Sequence, residues 1–310
     1  MALPLKIYVM NFWKGFSLEA GFLRHLLDLA FGSFVVTPHE SDADLVLTSV
    51  YPKQQRWYRP PRKQWSSHPE KTIAVIWENQ RPDYRRYRFS ISSDFDSYGG
   101  RNCRVPLWYT QIQWPGLVRE GLRPVPGASQ GFEPLVDLDS LLRARPTPSA
   151  ADREMFCCLV SGHPERHRQL CVEQLSSVGR VDLFGTIAGK PVPRSKYEIL
   201  APYRFNLCFE NSIFPGYYSE KLLHAWVAGC IPLYFSDSWY RLDFNPKAMI
   251  NRINFSTIDE FVDHVTSINA SREAMNELFD QPLLTKRPTL DPAIRFLKQA
   301  GAAIMKSSPK

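Results

Sequence analysis

The chain has 310 residues, enough for one large domain or two of ordinary size, and its 44% hydrophobic and 22% charged content suits a globular protein with a real core. A formal net charge of +7 and a pI near 9.1 favour an anionic partner: a nucleotide diphosphate, an anionic membrane surface or nucleic acid. No apolar run approaches the roughly 18 residues of a membrane-spanning helix, so no span is expected.

Leu5-Lys-Ile-Tyr-Val-Met10 reads as a strand, with no charged-then-apolar leader pattern before it. Leu18 to Ala30 follows as a helix, because Phe22, Leu23, Leu26, Leu27 and Ala30 recur on one face. Ser33–Thr37, Leu45–Ser49 and Thr72–Trp77 read as further strands. This alternation predicts a mostly parallel, doubly wound sheet. Residues 123–150 are rich in Pro, Gly, Ser and Ala and read as a linker.

The pattern then restarts. Met155–Val160 is a strand, Arg166–Ser176 a helix and Val181–Phe184 a strand ending at Gly185. Arg204–Phe209 is a strand, Ser219–Ala228 a helix, Ile231–Phe235 a strand and Thr257–Ile268 a helix. Asp291-Pro292 supplies an N-cap and first position for a last helix, Ala293–Met305. The expectation is an α/β protein with one domain over 1–150, its linker beginning near 123, and a second over 151–310 that includes the C-terminal helix. Ligands of open α/β sheets bind at the C-terminal strand edges, so two such domains are expected to face a central cleft.

Several motifs fail on context. Gly127-Ala-Ser-Gln-Gly131 has the letters of a nucleophile elbow, but no strand precedes it and no helix follows. Gly185-Thr-Ile-Ala-Gly189-Lys190 is one residue short of a P-loop, and Pro191 stands where Ser or Thr must bind magnesium. His163 and His167 lack a third ligand, and Pro164 places His163 before the helix. Asp42-Ala-Asp44 resembles a manganese-binding aspartate pair, but its place before an apolar strand favours capping. Basic and aromatic residues interleave at 53–63 and arginines cluster at 81–88, without a nucleic-acid fold signature beside them, so no nucleic-acid partner is expected. The six cysteines, at 103, 157, 158, 171, 208 and 230, form no Cys-x-x-Cys pair and read as buried free thiols of a reducing compartment.

The informative segment runs from Tyr203 to Phe235. A buried strand, Tyr203–Phe209, leads into the polar turn Glu210-Asn-Ser212, and Gly216-Tyr-Tyr-Ser-Glu-Lys221 opens a helix that Gly229 ends. Strand, polar turn and helix N-terminus together make a phosphate-receiving arrangement. Lys221 in the first helical turn opposes the helix dipole, which costs stability unless an anion lies between the two.

Tyr203-Arg-Phe205, Phe209-Glu-Asn-Ser212, Tyr217-Tyr-Ser-Glu-Lys221 and Cys230-Ile-Pro-Leu233 together closely resemble the signature of the α1,3/4-fucosyltransferases of glycosyltransferase family 10. Asp243-Phe-Asn-Pro-Lys247 and Ile258-Asp-Glu-Phe261 fit its continuation. Ala74-Val-Ile-Trp-Glu-Asn79 and Arg104-Val-Pro-Leu-Trp-Tyr109 carry a weaker likeness in the first half. The resemblance implies a GT-B-type fold of two Rossmann-like domains, the first for acceptor and the second for GDP-fucose. It implies inverting transfer of L-fucose to an oligosaccharide, α1,3 to GlcNAc of a LacNAc-type acceptor. By the same likeness Lys221 and Arg168, with Arg166 as rival, neutralise the diphosphate. Asn211 supports the phosphate site, Tyr217 packs near the nucleotide, Glu220 holds the ribose diol and Glu78 is the base. No metal is required, though stimulation by manganese or magnesium is compatible. The alternatives are another GDP-sugar donor or a non-catalytic glycan- or nucleotide-binding protein. A bacterial-type cytoplasmic enzyme is expected, with peripheral contact at the inner membrane face allowed. Arg204 departs from the commoner Lys, and the heptad repeats and basic tail of some bacterial members are missing. Acceptor and oligomeric state are not legible.

Overall fold

The computed structural model describes residues 4–52, 54–55, 62–117, 133–145, 149–162, 164–189 and 195–307. The Gly127–Gly131 run, His163, Lys190-Pro191, most of the basic run at 53–63 and part of the expected linker lie outside them. The chain divides into two compact units. One takes Met1–Thr110, Pro115–Arg123 and Pro288–Lys310; the other takes Gln111–Trp114 and Pro124–Arg287.

In the first unit the strands are β1 (Leu5–Met10), β2 (Phe34–Val36), β3 (Leu45–Thr48), β4 (Thr72–Ile76), β5 (Phe89–Ser92) and β6 (Asn102–Arg104). They pair in parallel in the order β2-β1-β3-β4-β5-β6. All of β3 and β4 is buried, which is why both read as unbroken apolar runs rather than alternating ones. Helix α1 (Phe22–Phe31) buries Phe22, Leu23, Leu26, Leu27 and Ala30, the face its periodicity marked.

The C-terminal helix, Asp291–Ser307, belongs to this unit and not to the second as the sequence order suggested. It packs on α1 through Gly301, where a Cβ would lie 2.7 Å from Phe31 Cε1, and Arg88 Nη1 donates to its Ala303 carbonyl at 3.1 Å. An apolar stripe shows that a helix is covered, not by which sheet.

The second unit repeats the plan. Its strands are β7 (Met155–Val160), β8 (Val181–Phe184), β9 (Tyr203–Leu207), β10 (Ile231–Tyr234) and β11 (Ile250–Asn251), parallel in the order β8-β7-β9-β10-β11. Its helices are α2 (Arg166–Leu175), α3 (Lys196–Leu200), α4 (Lys221–Val227), α5 (Ile258–Ala270) and α6 (Arg272–Phe279). Cys157, Leu159, Phe205, Leu207, Ile231 and Leu233 of the sheet meet Cys171 and Leu175 of α2, Phe261 and Val265 of α5, and Met275 and Phe279 of α6. Residues 133–145 are a packed part of this unit, not a linker. Val136–Asp137 pairs in parallel with Ile112–Gln113, and the Leu141 carbonyl accepts from Leu284 N at 2.9 Å. Val136, Leu138 and Leu141 supply the apolar anchors that the Pro- and Gly-rich composition masked.

All six cysteines are free. Burial pushes the Cys171 and Cys230 thiols up to about 12, so they act as small apolar side chains. Among the described residues no helix is long and apolar enough to cross a membrane.

Both sheets place their first strand between the second and the third. In this topology the connections leave in opposite directions after the first and third strands, opening a crevice at their C-terminal ends. The crevice lies beyond Met10 and Thr48 in the first unit, and beyond Val160 and Leu207 in the second.

Candidate functional site

In the second unit, β7 ends at Val160 and Ser161 follows. Gly185, at the end of β8, has φ near 90°, and a Cβ there would lie 2.5 Å from the Ser161 carbonyl oxygen, so this close approach needs glycine. Arg168 rises from the first turn of α2 and is 1% exposed. It donates to Ser161 Oγ at 2.9 Å, to the Phe209 carbonyl at 2.6 Å and to Asn211 Oδ1 at 2.7 Å. Arginine only donates, so the Asn211 amide must turn its oxygen inward, leaving its NH₂ group without a partner among the described residues. Arg166, two residues earlier and so about 200° around the helix, is exposed. The geometry separates the two arginines: Arg168 belongs to the crevice, with burial pulling its guanidinium down against the upward pull of Glu210.

Glu210 organises the turn, a role the sequence reading missed although the residue stood inside the recognised motif. It is 1% exposed. Its carboxylate accepts from Ser219 N at 2.8 Å, Ser219 Oγ at 2.7 Å, Tyr234 OH at 2.8 Å and Lys221 Nζ at 3.2 Å. Its carbonyl is 3.0 Å from His167 Nε2, so His167 is a donor to the backbone here.

Lys221 is the first residue of α4. The anion that its placement demanded is Glu210. Its ammonium also donates to Ser219 Oγ at 3.0 Å, which leaves a third proton without a partner among the described residues. Burial alone would lower its pKa, but Glu210 and Glu220 raise it on balance, so Lys221 stays charged. Glu220 lies 3.6 Å from Lys196 Nζ. Burial would raise its carboxyl, yet Lys221, Lys196 and His224 together hold it well below the usual carboxylate range.

Tyr217 is buried, and its N–H donates to the Phe214 carbonyl at 2.9 Å. The adjoining residues are bolted to Asp237 just after β10: Gly216 N donates to Oδ2 at 3.0 Å and Tyr218 OH to Oδ1 at 2.9 Å. Arg168, Asn211, Tyr217, Glu220 and Lys221 thus belong to one structure at the strand ends of a single sheet.

Glu78 belongs to the first unit, two residues past the end of β4. Its Oε1 accepts a hydrogen bond from the Tyr51 hydroxyl, and it makes no ion pair among the described residues. The neighbouring acids differ. Asp83 is bridged by Arg85 at 2.8 Å and Arg86 at 3.0 Å, and the Arg85 hydrogen bond lowers its pKa. Asp94 is buried, which would raise its pKa, but hydrogen bonds from Tyr98 and Arg81 bring it down instead. Asp44 Oδ2 accepts from Lys6 N at 2.8 Å at the N-terminal end of β3, the capping role its position suggested.

Residues 150–281 match the family described as glycosyltransferase family 10 (fucosyltransferase) C-term. Over 308 aligned residues the chain is 25% identical to the α-(1,3)-fucosyltransferase FucT of Helicobacter pylori, covering 91% of this chain and 61% of that protein. It is 35% identical to α-(1,3)-fucosyltransferase 7 of Rattus norvegicus over 133 residues, 41% of this chain and 36% of that one. The chain therefore spans less than two thirds of the length of these relatives. A solved α1,3-fucosyltransferase with GDP-fucose superposes with a TM-score of 0.70 at 20% identity, covering 96% of this chain and 90% of that one. The same fold with GDP gives 0.69, covering 99% and 91%. The two Rossmann-like units thus share the GT-B-type fold of these solved structures, and residues 150–281 are similar to the C-terminal part of glycosyltransferase family 10.

Proposed function

We propose that this chain is an inverting fucosyltransferase that moves L-fucose from GDP-fucose to a glycan hydroxyl, forming an α1,3 link to GlcNAc of a LacNAc-type acceptor. The observation that carries the reading is the paired array Arg168–Asn211 and Glu210–Lys221 at the β7/β9 crevice, inside the segment that matches the family. The Asn211 NH₂ group and the third Lys221 proton are donors suited to a diphosphate. Arg168 supplies positive charge and fixes the amide. The ionised Glu220 accepts from the ribose hydroxyls, and Tyr217 packs beside the nucleotide.

Displacement builds negative charge on the departing GDP, and fixed cations stabilise that charge without reorganising. This is the work a divalent ion does elsewhere, so a metal is unnecessary and modest stimulation by manganese or magnesium is compatible. Glu78 takes the proton of the acceptor hydroxyl as it attacks. Attack opposite the departing group turns a β-linked donor into an α-linked product. The net charge of +7 supports peripheral contact at an anionic inner membrane face, and the six free cysteines fit a cytoplasmic enzyme acting in polysaccharide or protein glycosylation.

The test is transfer by the purified chain from a panel of GDP-sugars to LacNAc, with the product linkage read by NMR. Fucose at O3 of GlcNAc is the expected outcome. Transfer of a different sugar moves the assignment to another GDP-sugar donor, and GDP binding without turnover moves it to a binding protein.

A further inference from the structure

The geometry points to Tyr51 as the residue that positions Glu78: its phenol holds one carboxylate oxygen so that the other is presented to the acceptor hydroxyl. This rests on the reading of Glu78 as the base and names a second residue that the reading requires.

The argument begins with topology. Tyr51 stands three residues past β3 and Glu78 two residues past β4, and these strands are neighbours in the sheet. Both residues therefore emerge at the same C-terminal edge. The Tyr51 hydroxyl donates to Glu78 Oε1, while Oε2 accepts no hydrogen bond among the described residues. A carboxylate on a loop can rotate, and a base must point a lone pair at the proton it takes. One fixed oxygen determines where the other faces.

Tyr51 is itself anchored. Its N–H donates to the Asn11 carbonyl at 3.0 Å. Asn11 follows β1 with φ near 61°, a left-handed conformation that Asn tolerates through local side-chain bonding. Its amide donates to Thr48 Oγ1 at 3.1 Å and to the Gln64 carbonyl at 3.1 Å. The chain of contacts runs from β1 through Asn11 to Tyr51 and on to Glu78, at the crevice of this sheet. The Tyr51 ring meets Trp13 edge-on with centroids 6.3 Å apart, yet remains 40% exposed. An exposed tyrosine that donates its hydroxyl to a carboxylate contributes little to the core, so its use lies in orienting that carboxylate.

Tyr51→Phe removes only the hydroxyl and keeps the ring on Trp13. The measurement is a cycle of Tyr51→Phe, Glu78→Gln and the double variant, following kcat for transfer, GDP affinity and melting temperature. Tyr51→Phe is expected to lower kcat about tenfold or more, the scale of a hydrogen bond lost from a charged group. GDP affinity and melting temperature stay unchanged, and the double variant is no slower than Glu78→Gln alone. Equal losses in both backgrounds, or a parallel fall in melting temperature, mean a structural role and overturn the inference. If Glu78→Gln abolishes transfer while Tyr51→Phe is normal, the positioning role alone fails. If Glu78→Gln transfers normally, the base reading fails and the positioning role with it.

Discussion

Lys221 Nζ lies 3.2 Å from Glu210 Oε2, and Glu210 is almost wholly buried. That contact reconciles two conditions that conflict separately: a cation in the first turn of a helix, and a buried carboxylate in the turn after β9. Neither is tolerable alone, and together they leave a charged donor at the crevice. The same buried carboxylate accepts from Ser219 and Tyr234, so the position of the cation is tied to β10 as well as to the turn.

Lys221→Ala is expected to act twice. Loss of a charge-assisted donor weakens GDP by about 1.5–3 kcal/mol. It also strands Glu210 as a buried charge without a cation, at a cost to stability of about 3 kcal/mol. The double variant Lys221→Met with Glu210→Gln separates the effects: thermal stability returns and GDP affinity does not. Calorimetric titration alongside thermal melts decides it, and a double variant that binds GDP normally removes Lys221 from the site.

Asn211→Asp tests the direction of the amide. The new carboxylate still accepts from Arg168, so the turn keeps its shape, but both outward donors become an anion. GDP affinity should fall by about 2 kcal/mol or more with melting temperature unchanged or raised. Undiminished GDP binding would place the diphosphate elsewhere.

The Glu220 carboxyl carries a pH signature. Its folded pKa lies below the unfolded value of about 4.3, because Lys221, Lys196 and His224 outweigh the opposing effect of burial. A depressed carboxylate contributes stability that is fully present above the unfolded value and is lost as pH falls toward the folded one. The gap in melting temperature between the wild type and Glu220→Gln should therefore be constant near neutrality and narrow below about pH 4. A gap that does not change with pH contradicts this coupling.

Much of the fold could be read because both sheets are fully parallel. Strands such as Thr72–Ile76 and Met155–Val160 appear as apolar runs, and the helices between them carry their own period. Strand β5 escaped because Arg85, Arg86 and Arg88 crowd its start, and β6 because three residues show no period. Lys221 drew notice by its place in a first helical turn, while the proposed roles of Arg168, Asn211, Tyr217 and Glu220 came through the family likeness. That Asn211, Tyr217, Glu220 and Lys221 share one sheet edge follows from their lying within eleven consecutive positions. Glu210 was visible but had no role, because burial decides whether a carboxylate in a polar turn is a ligand or a keystone. Tyr51 gave no signal: it lies 27 residues before Glu78, and only the adjacency of β3 and β4 brings them together.

Glu78→Gln is the decisive variant for the chemistry. The amide has nearly the shape of the carboxylate and can still accept from Tyr51 through its oxygen, so the loop should hold its conformation. It cannot take a proton near neutral pH. Transfer is expected to fall by about 10²–10⁴-fold, the usual worth of a positioned base. GDP-fucose affinity should be retained, because every proposed donor contact comes from the other unit. A collapse of donor affinity would instead put Glu78 in the nucleotide site. Near-normal transfer would make it a loop carboxylate and send the search to other acids of the first unit. Asp83 and Asp94 are poor replacements: Arg85 and Arg86 occupy the first, and Arg81 and Tyr98 the second. A carboxylate already neutralised by cations is a weak acceptor for the proton of a sugar hydroxyl, whereas Glu78 meets, among the described residues, only a neutral phenol.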